Sequence, residues 1–310
     1  MNLEIKTQPG EKFCGTIDLS VGKERVSLPL FIIHGKESSP TLCITAGIHG
    51  TEYSSIEAAL RLGKSLQPQE IRGKVMILPV ANMPSFMRRT IYVGPYDGKN
   101  LNRVFPGKED GTFSEVLAYQ IFHGFIKKGD YFIDLHGGDM NEALVPFIIH
   151  APSGNPKVDQ VSLSMAESFG IEIVVKRQKP GTTLYSATRA GIPALVAEVG
   201  GQGILNEDAV GIHFTGVKRV MAKLGFIQGE GDRFPIEIID FPWIFSDYDG
   251  VFYSLVKVGE KVSAGQKMGV VCDFFGKELQ VIRSPSDATI LFMVTSLAIN
   301  KEDPLFGIGC

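Results

Sequence analysis

The chain has 310 residues, 44% hydrophobic and 21% charged, with a formal charge of −3 and an isoelectric point near 6.1. This is ordinary globular composition, and the length suits one large domain plus a small one. The balance carries no basic footprint for nucleic acid, and no apolar stretch reaches the length of a membrane span.

The N-terminus, Met1 to Gly10, is polar and lacks the basic-then-apolar pattern of a signal peptide. The cysteines Cys14, Cys43, Cys272 and Cys310 are scattered, with no CxxC pair. Neither a disulfide framework nor a cysteine zinc knuckle is expected, and the expected location is cytoplasmic and reducing.

From Val26 to Glu198, short apolar runs alternate with helical patterns. Leu42–Ala46, Val75–Val80, Tyr131–Leu135, Pro146–Ile149, Ile171–Val175 and Ala194–Ala197 are rich in Val, Ile and Leu and show little polar alternation. That predicts strands buried on both faces of a sheet. Glu52–Leu66 sets Ile56, Ala59, Leu60 and Gly63 at three- and four-residue spacing, and Phe113–Lys127 and Lys157–Phe169 read as helices of the same kind. Alternating strands and helices predict an α/β layer architecture. Ala81–Gly107 is broken by Pro84, Gly94, Pro95, Gly98 and Pro106 and has no sustained period. It is expected to be a long functional loop. Beyond about Gly229, short strand-like runs punctuated by glycine predict a small all-β domain. The expected division is residues 1–228, a hydrolase domain, and 229–310, a β-rich domain, with the boundary in Gly225–Asp232.

Four short segments carry chemistry. His49-Gly50-Thr51-Glu52 follows the strand Leu42–Ala46 and opens a helix. A His and a Glu three residues apart around one turn can face a common ion, and zinc accepts such N and O ligands. Thr51 and Glu52 equally fit a helix cap. Asp134-Leu135-His136-Gly137-Gly138 ends another strand; His136 can be a third ligand, with Asp134 behind a ligand, and the glycines would admit a close approach of metal or substrate. Glu198-Val199-Gly200-Gly201 places a carboxylate at the end of a third strand, where it can act as general base on water and then as general acid. Asn102-Arg103 lies in the long loop and can clamp a carboxylate. Each alone also fits a turn or a solvated surface. If the strands are parallel, all four gather at one sheet edge.

Taken in order, HGTE, NLNRVFPG, DLHGG and EVGGQG resemble the succinylglutamate desuccinylase and aspartoacylase family, related to zinc carboxypeptidases, over about residues 40–205. The resemblance implies a three-layer α/β/α domain with a mixed central sheet. It also implies one zinc ion per chain on His49, Glu52 and His136, Glu198 as the proton-transferring carboxylate, and Asn102 and Arg103 on a substrate carboxylate. The implied reaction is hydrolysis of the amide of a small N-acyl amino acid. The family has a transition-state arginine shortly before its Asn-Arg pair. Arg88 and Arg89 both stand there, with Arg89 taken as catalytic and Arg88 as substrate-binding. Arg189, ahead of Glu198, reads as a helix C-terminal cation. Ser246–Cys310 resembles a biotinyl/lipoyl-like β-domain without its carrier lysine hairpin. It is therefore read as a structural module that narrows the mouth of the site, with Tyr248 and Tyr253 as candidates there.

The expected partner is a small carboxylate-bearing substrate, with no nucleic acid and no membrane, and a homo-oligomer stays open. The rival readings are a metallocarboxypeptidase acting on short peptides and a catalytically silent metal- or ligand-binding homologue. A Ser-His-Asp esterase ranks last, since no GxSxG nucleophile elbow is present.

Overall fold

The computed structural model describes residues 6–229 and 231–310. The strands are β1 (Lys12–Val21), β2 (Glu24–His34), β3 (Thr41–Ala46), β4 (Lys74–Leu78), β5 (Tyr131–His136), β6 (Glu142–Leu144), β7 (Phe147–His150), β8 (Ile173–Lys176), β9 (Ala194–Glu198) and β10 (Glu237–Ile239). They are followed by β11 (Trp243–Phe245), β12 (Gly250–Ser254), β13 (Lys261–Val262), β14 (Lys267–Cys272), β15 (Glu278–Arg283), β16 (Ala288–Val294), β17 (Ala298–Ile299) and β18 (Pro304–Gly309). The helices are α1 (Tyr53–Ser65), α2 (Met83–Arg88), α3 (Phe113–Gly124), α4 (Pro156–Phe169), α5 (Thr183–Arg189) and α6 (Glu207–Lys223).

Among the described residues, the large sheet has the order β1-β2-β4-β3-β5-β9-β7-β8-β10. Strands β4, β3, β5 and β9 run parallel, whereas β1, β2 and β7 introduce antiparallel pairings. The central runs are apolar because both faces are covered. In β3, Leu42 and Ile44 pack with α1, α4 and α6, while Cys43 faces the layer that holds α3 and α5. Each fully buried Leu, Ile or Phe contributes roughly 1.5–3 kcal/mol. The strand order is therefore fixed by which runs can bury two faces. This is the expected three-layer mixed α/β/α arrangement, with additional antiparallel sheets toward the C-terminus.

Some elements were not legible from apolar runs. β1 and β2 form an edge hairpin whose alternate residues are exposed, a weaker signal than a continuous apolar run. The segment Ala81–Gly107 is not wholly structureless. Asn82 caps α2 by accepting from Ser85 N, and Pro84 sits in the first turn, where its missing N–H costs nothing. In α6, Gly211, Gly216 and the buried His213 dilute the apolar stripe. Gly216 is needed there because a Cβ would come within 2.2 Å of the Phe169 ring on α4.

The smaller sheets, β11-β18-β16-β13 and β15-β14-β12-β17, pack around Phe252, Met268, Val271, Ile290, Leu305 and Phe306. Strands cross the expected division of the chain. β6 pairs with β16, and β10, which follows Gly229, adds in parallel to β8.

Replacing Gly216 by Ala is expected to lower the unfolding free energy by about 1–3 kcal/mol through overpacking. That outweighs the roughly 1 kcal/mol gained from alanine's helix propensity. Urea denaturation measures it, and Phe169→Leu in the same chain should restore part of the loss. A Gly216→Ala protein as stable as its parent would contradict the packing account.

Candidate metal centre and substrate cleft

The parallel strands β3, β4, β5 and β9 all end at one edge of the large sheet. His136 closes β5 directly beside Glu198 on β9, the two residues being register partners. His49-Gly50-Thr51-Glu52 leaves the end of β3 and is pressed against α2: a Cβ on Gly50 would lie 2.1 Å from Phe86 N. The loop after β4 brings Asn100, Asn102 and Arg103 to the same edge.

Glu52 stands between the two imidazoles. Its Oε1 lies 2.6 Å from His49 Nδ1 and its Oε2 3.0 Å from His136 Nδ1. Each ring turns its other nitrogen outward. His136 Nε2 donates to Asp134 Oδ2 at 2.9 Å, and His49 Nε2 donates to Asn100 Oδ1 at 3.2 Å. Glu52 and His136 are buried, and one ligand atom from each of the three residues falls within 4.8 Å of the others. Burial by itself would raise the Glu52 carboxyl, but the two imidazoles outweigh it and draw it down to about 2. Burial likewise works against both protonated rings, yet Glu52 raises His49, and Asp134 and Glu52 together hold His136 well above the usual imidazole range.

The donor set fits a divalent metal. Two ring nitrogens and a carboxylate are a catalytic-type ligand trio. Glu52 Oε2 is buried and meets no donor in hydrogen-bonding alignment, despite the nearby His136 ring. A cation would satisfy that oxygen and take the place of the protons on the two Nδ1 atoms.

The surrounding groups hold these side chains in place. Asp134 also accepts from Thr45 Oγ1 at 2.6 Å and from Thr183 Oγ1, so the carboxylate behind His136 is itself fixed. Thr51 does not cap α1. Its hydroxyl donates to Asp139, and the N-cap position is Glu52, which makes no side-chain cap bond. Asp139 additionally accepts from Tyr92 N at 2.8 Å, and Asp139 N donates to Glu142 Oε2 at 2.7 Å. The glycines after His136 serve the chain rather than a ligand: a Cβ on Gly137 would meet Val199 O at 2.5 Å, and one on Gly138 would meet Glu142 O at 2.8 Å.

His49 and Glu52 face a cavity of about 360 Å³. The Glu198 carboxyl lines it, makes no hydrogen bond among the described residues, and is pushed up to about 8, chiefly by burial. Asn102 is buried and accepts Thr183 N on its Oδ1 at 2.9 Å, which leaves its amide NH2 for the cleft. Arg103 is exposed within the cleft and donates to Asn102 O at 2.7 Å. The sequence thus placed His49, Glu52, His136, Glu198, Asn102 and Arg103 in segments that the fold brings together.

Arg88 and Arg89 are not brought there. Arg88 lies over the Tyr96 ring at 5.1 Å. Arg89 caps α2 in the left-handed region and lines a separate depression with Tyr53 and Leu205. One short helix turn decides this, since α2 carries both residues away from the edge where the loop later returns. Arg189 donates to Ser153 O at 2.9 Å from the last turn of α5, in keeping with its helix-end reading. Tyr248 and Tyr253 are exposed and do not line the cleft; Trp243, Phe245, Phe292 and Pro304 do. The sequence reading also missed Asn100, Asp139, Arg177 and Lys179. Asn100 opens the quoted NLNRVFPG motif and Asp139 directly follows DLHGG, whereas nothing in the sequence ties Arg177 or Lys179 to the site.

Residues 38–224 match the sequence model of the succinylglutamate desuccinylase/aspartoacylase catalytic domain. An N-alpha-acetyl-L-2,4-diaminobutyric acid deacetylase of Halomonas elongata is 28% identical over 264 residues, which cover 80% of this chain and 75% of the relative. A succinylglutamate desuccinylase of Pseudomonas aeruginosa is 25% identical over 54% of this chain, and the match spans 53% of that relative's length. Two solved structures share the fold at 24% and 23% identity, each with a TM-score of 0.88. They are a succinylglutamate desuccinylase/aspartoacylase from Rhodobacter sphaeroides, covering 100% of this chain and 99% of that one, and the product-bound ectoine utilization protein EutE (DoeB) from Ruegeria pomeroyi, covering 98% and 97%. The catalytic-domain match spans more than half of the chain and contains every one of the converging site residues, so the chain belongs to the succinylglutamate desuccinylase/aspartoacylase family.

Proposed function

We propose that the protein is a zinc-dependent deacylase that hydrolyses the amide bond of a small N-acyl amino acid or a related carboxylate-bearing compound. The observation that carries this reading is an unpaired carboxylate, Glu198, register partner of His136 in the His49–Glu52–His136 trio, with Asn102 and Arg103 facing the same cleft. The names of the relatives, a deacetylase and desuccinylases, agree with amide hydrolysis. Residues of the C-terminal sheets, Phe245 and Pro304 among them, close one side of the cleft, which suits a compact substrate better than a peptide.

One zinc ion held by His49, Glu52 and His136 would supply Lewis acidity, lowering the pKa of water toward neutrality and polarising a carbonyl. The protein's own residues do the rest. Asn102 and Arg103 hold the substrate carboxylate, so the amide is oriented before reaction. Glu198 takes the proton of the attacking water and delivers it to the leaving nitrogen. Burial pushes the Glu198 carboxyl up to about 8, and a divalent ion held by the trio would draw it down, so that it could accept a proton at neutral pH.

Glu198→Gln is expected to bind one zinc per chain and to lose turnover by roughly 100-fold or more on whichever N-acetyl or N-succinyl amino acid the parent cleaves. Near-normal turnover in the zinc-loaded variant would rule out the proposed role.

Zinc binding should release protons. His136 is held well above the usual imidazole range and His49 is raised, so both rings hold protons more tightly than free imidazoles, and ligation must displace them. Calorimetric titration at pH 7 in buffers of different ionisation enthalpy should show that release, and apparent affinity should fall as pH is lowered. Asp134→Ala is expected to weaken zinc by about 10–100-fold. Binding without proton release, or unchanged affinity in that variant, would contradict the proposed ligand set.

A further inference from the structure

Besides the polar groups of the proposed reaction, five aromatic residues line the cleft: Phe147, Phe241, Trp243, Phe245 and Phe292. Four of the rings form an unbroken run. The centroids of Phe147 and Phe241 lie 5.2 Å apart, those of Phe241 and Trp243 5.0 Å, and those of Trp243 and Phe292 4.7 Å. These are the separations of favourable aromatic pairs. Phe292 on β16 is the register partner of Leu144 on β6, which also lines the cleft, so the run returns to the chain shortly before Phe147.

The run starts beside the proposed base. Phe147 on β7 is the antiparallel register partner of Glu198 on β9, and such partners share a sheet face with Cβ atoms about 4.5–5.5 Å apart. His136 on β5 is the partner of Glu198 on its other side. An amide that meets Glu198 therefore has His136 to one side and an aromatic ring to the other. The rings take no part in the main packing. Among the described residues, none of the five belongs to the three hydrophobic cores. Phe245 is half-exposed, and Arg177 spreads its guanidinium over Trp243 at 5.2 Å. The cavity, about 360 Å³, has the size of a small-molecule pocket, and such pockets are lined mostly by apolar and aromatic side chains with a few polar groups that orient the ligand. An acetyl methyl or an alanine side chain would leave most of this run against water, which carbon displaces favourably.

Resting on the deacylase reading, we propose that Phe147, Phe241, Trp243, Phe245 and Phe292 form a subsite for an apolar arm of the substrate. The substrate class is then an N-acyl amino acid that carries a hydrocarbon chain or an aromatic ring. That arm stands either as the acyl group or as the amino-acid side chain. The substrate carboxylate stays with Asn102 and Arg103.

The test measures kcat/KM of the zinc-loaded protein on N-acetyl-, N-butyryl- and N-hexanoyl-L-alanine, and on N-acetyl-L-leucine, N-acetyl-L-phenylalanine and N-acetyl-L-glutamate. Each buried methylene corresponds to about fourfold. Either the hexanoyl or the phenylalanine compound should therefore exceed N-acetyl-L-alanine by roughly tenfold or more, and the series that rises tells which arm enters the subsite. Trp243→Ala and Phe245→Ser should each shrink that ratio to below about threefold. Phe245 is half-exposed, so its replacement leaves the cores intact. A flat response in both series, a preference for the glutamate compound, or a ratio unchanged in both variants would overturn the proposal.

Calorimetric binding of hexanoate against acetate, and of L-phenylalanine against L-alanine, is read independently of turnover. The apolar member of at least one pair should bind the zinc-loaded protein more tightly, with a more negative heat-capacity change, and lose that advantage in Phe245→Ser. If no amide is cleaved but this difference holds, the deacylase reading fails and the apolar subsite stands. If the difference is absent in both pairs, the subsite fails.

Discussion

Everything at the sheet edge depends on keeping the Glu52 carboxylate ionised inside the protein. Removing an ion from water costs several kcal/mol even after relaxation, and a buried pair offsets this only with good geometry and further hydrogen bonds. Here the negative charge is flanked by His49 and His136, and His136 is backed by Asp134, which is itself held by Thr45 and Thr183. The compensation is incomplete, because Glu52 Oε2 is left without a hydrogen bond. A site built for stability alone would have no reason to retain that atom. The proposed cation would satisfy it.

The fold supplies what this arrangement requires. Parallel pairing of β3, β5 and β9 sets Thr45 beside Asp134 and His136 beside Glu198 without any loop having to find the position. Groups placed by sheet register are more rigid than groups placed by loops. The loops are then tied down from outside. Asp139 links the segment after β5 to Thr51 and to Tyr92, and β6 carries the same segment onto β16. The C-terminal sheets are thus joined to the catalytic edge, and Trp243 and Phe292 become walls of the cleft.

What the sequence revealed divides along physical lines. Ala194–Glu198 was legible because a strand buried on both faces must be apolar until the residue where the sheet ends, so a terminal Glu stands out. The same logic exposed His136. The hairpin β1–β2 was silent because its alternate residues face water. Arg88 and Arg89 were misleading because neighbours in sequence take unlike directions once Asn82 starts a helix and Arg89 ends it in a left-handed turn. Thr51 and Asp139 lie 88 residues apart and meet only through the fold. Arg177 and Trp243 belong to no motif. Their pairing depends on a parallel crossover and a strand from the smaller sheet, which no local pattern encodes.

The cleft is electrically divided. Carboxylates and imidazoles gather where β3, β5 and β9 end, and cations gather around the segment after β8 and the returning Asn102–Arg103 turn. Opposed charges in a low-dielectric cleft attract strongly, yet here they do not close on one another. Arg177 bonds His150 O through its backbone N–H, its guanidinium lies on Trp243, and Glu198 acts on it only through its field. Among the described residues, neither Glu198 nor Arg177 forms an ion pair. Trp243, outside the matched residues 38–224, thus lies under a cation of the cleft and forms part of its wall.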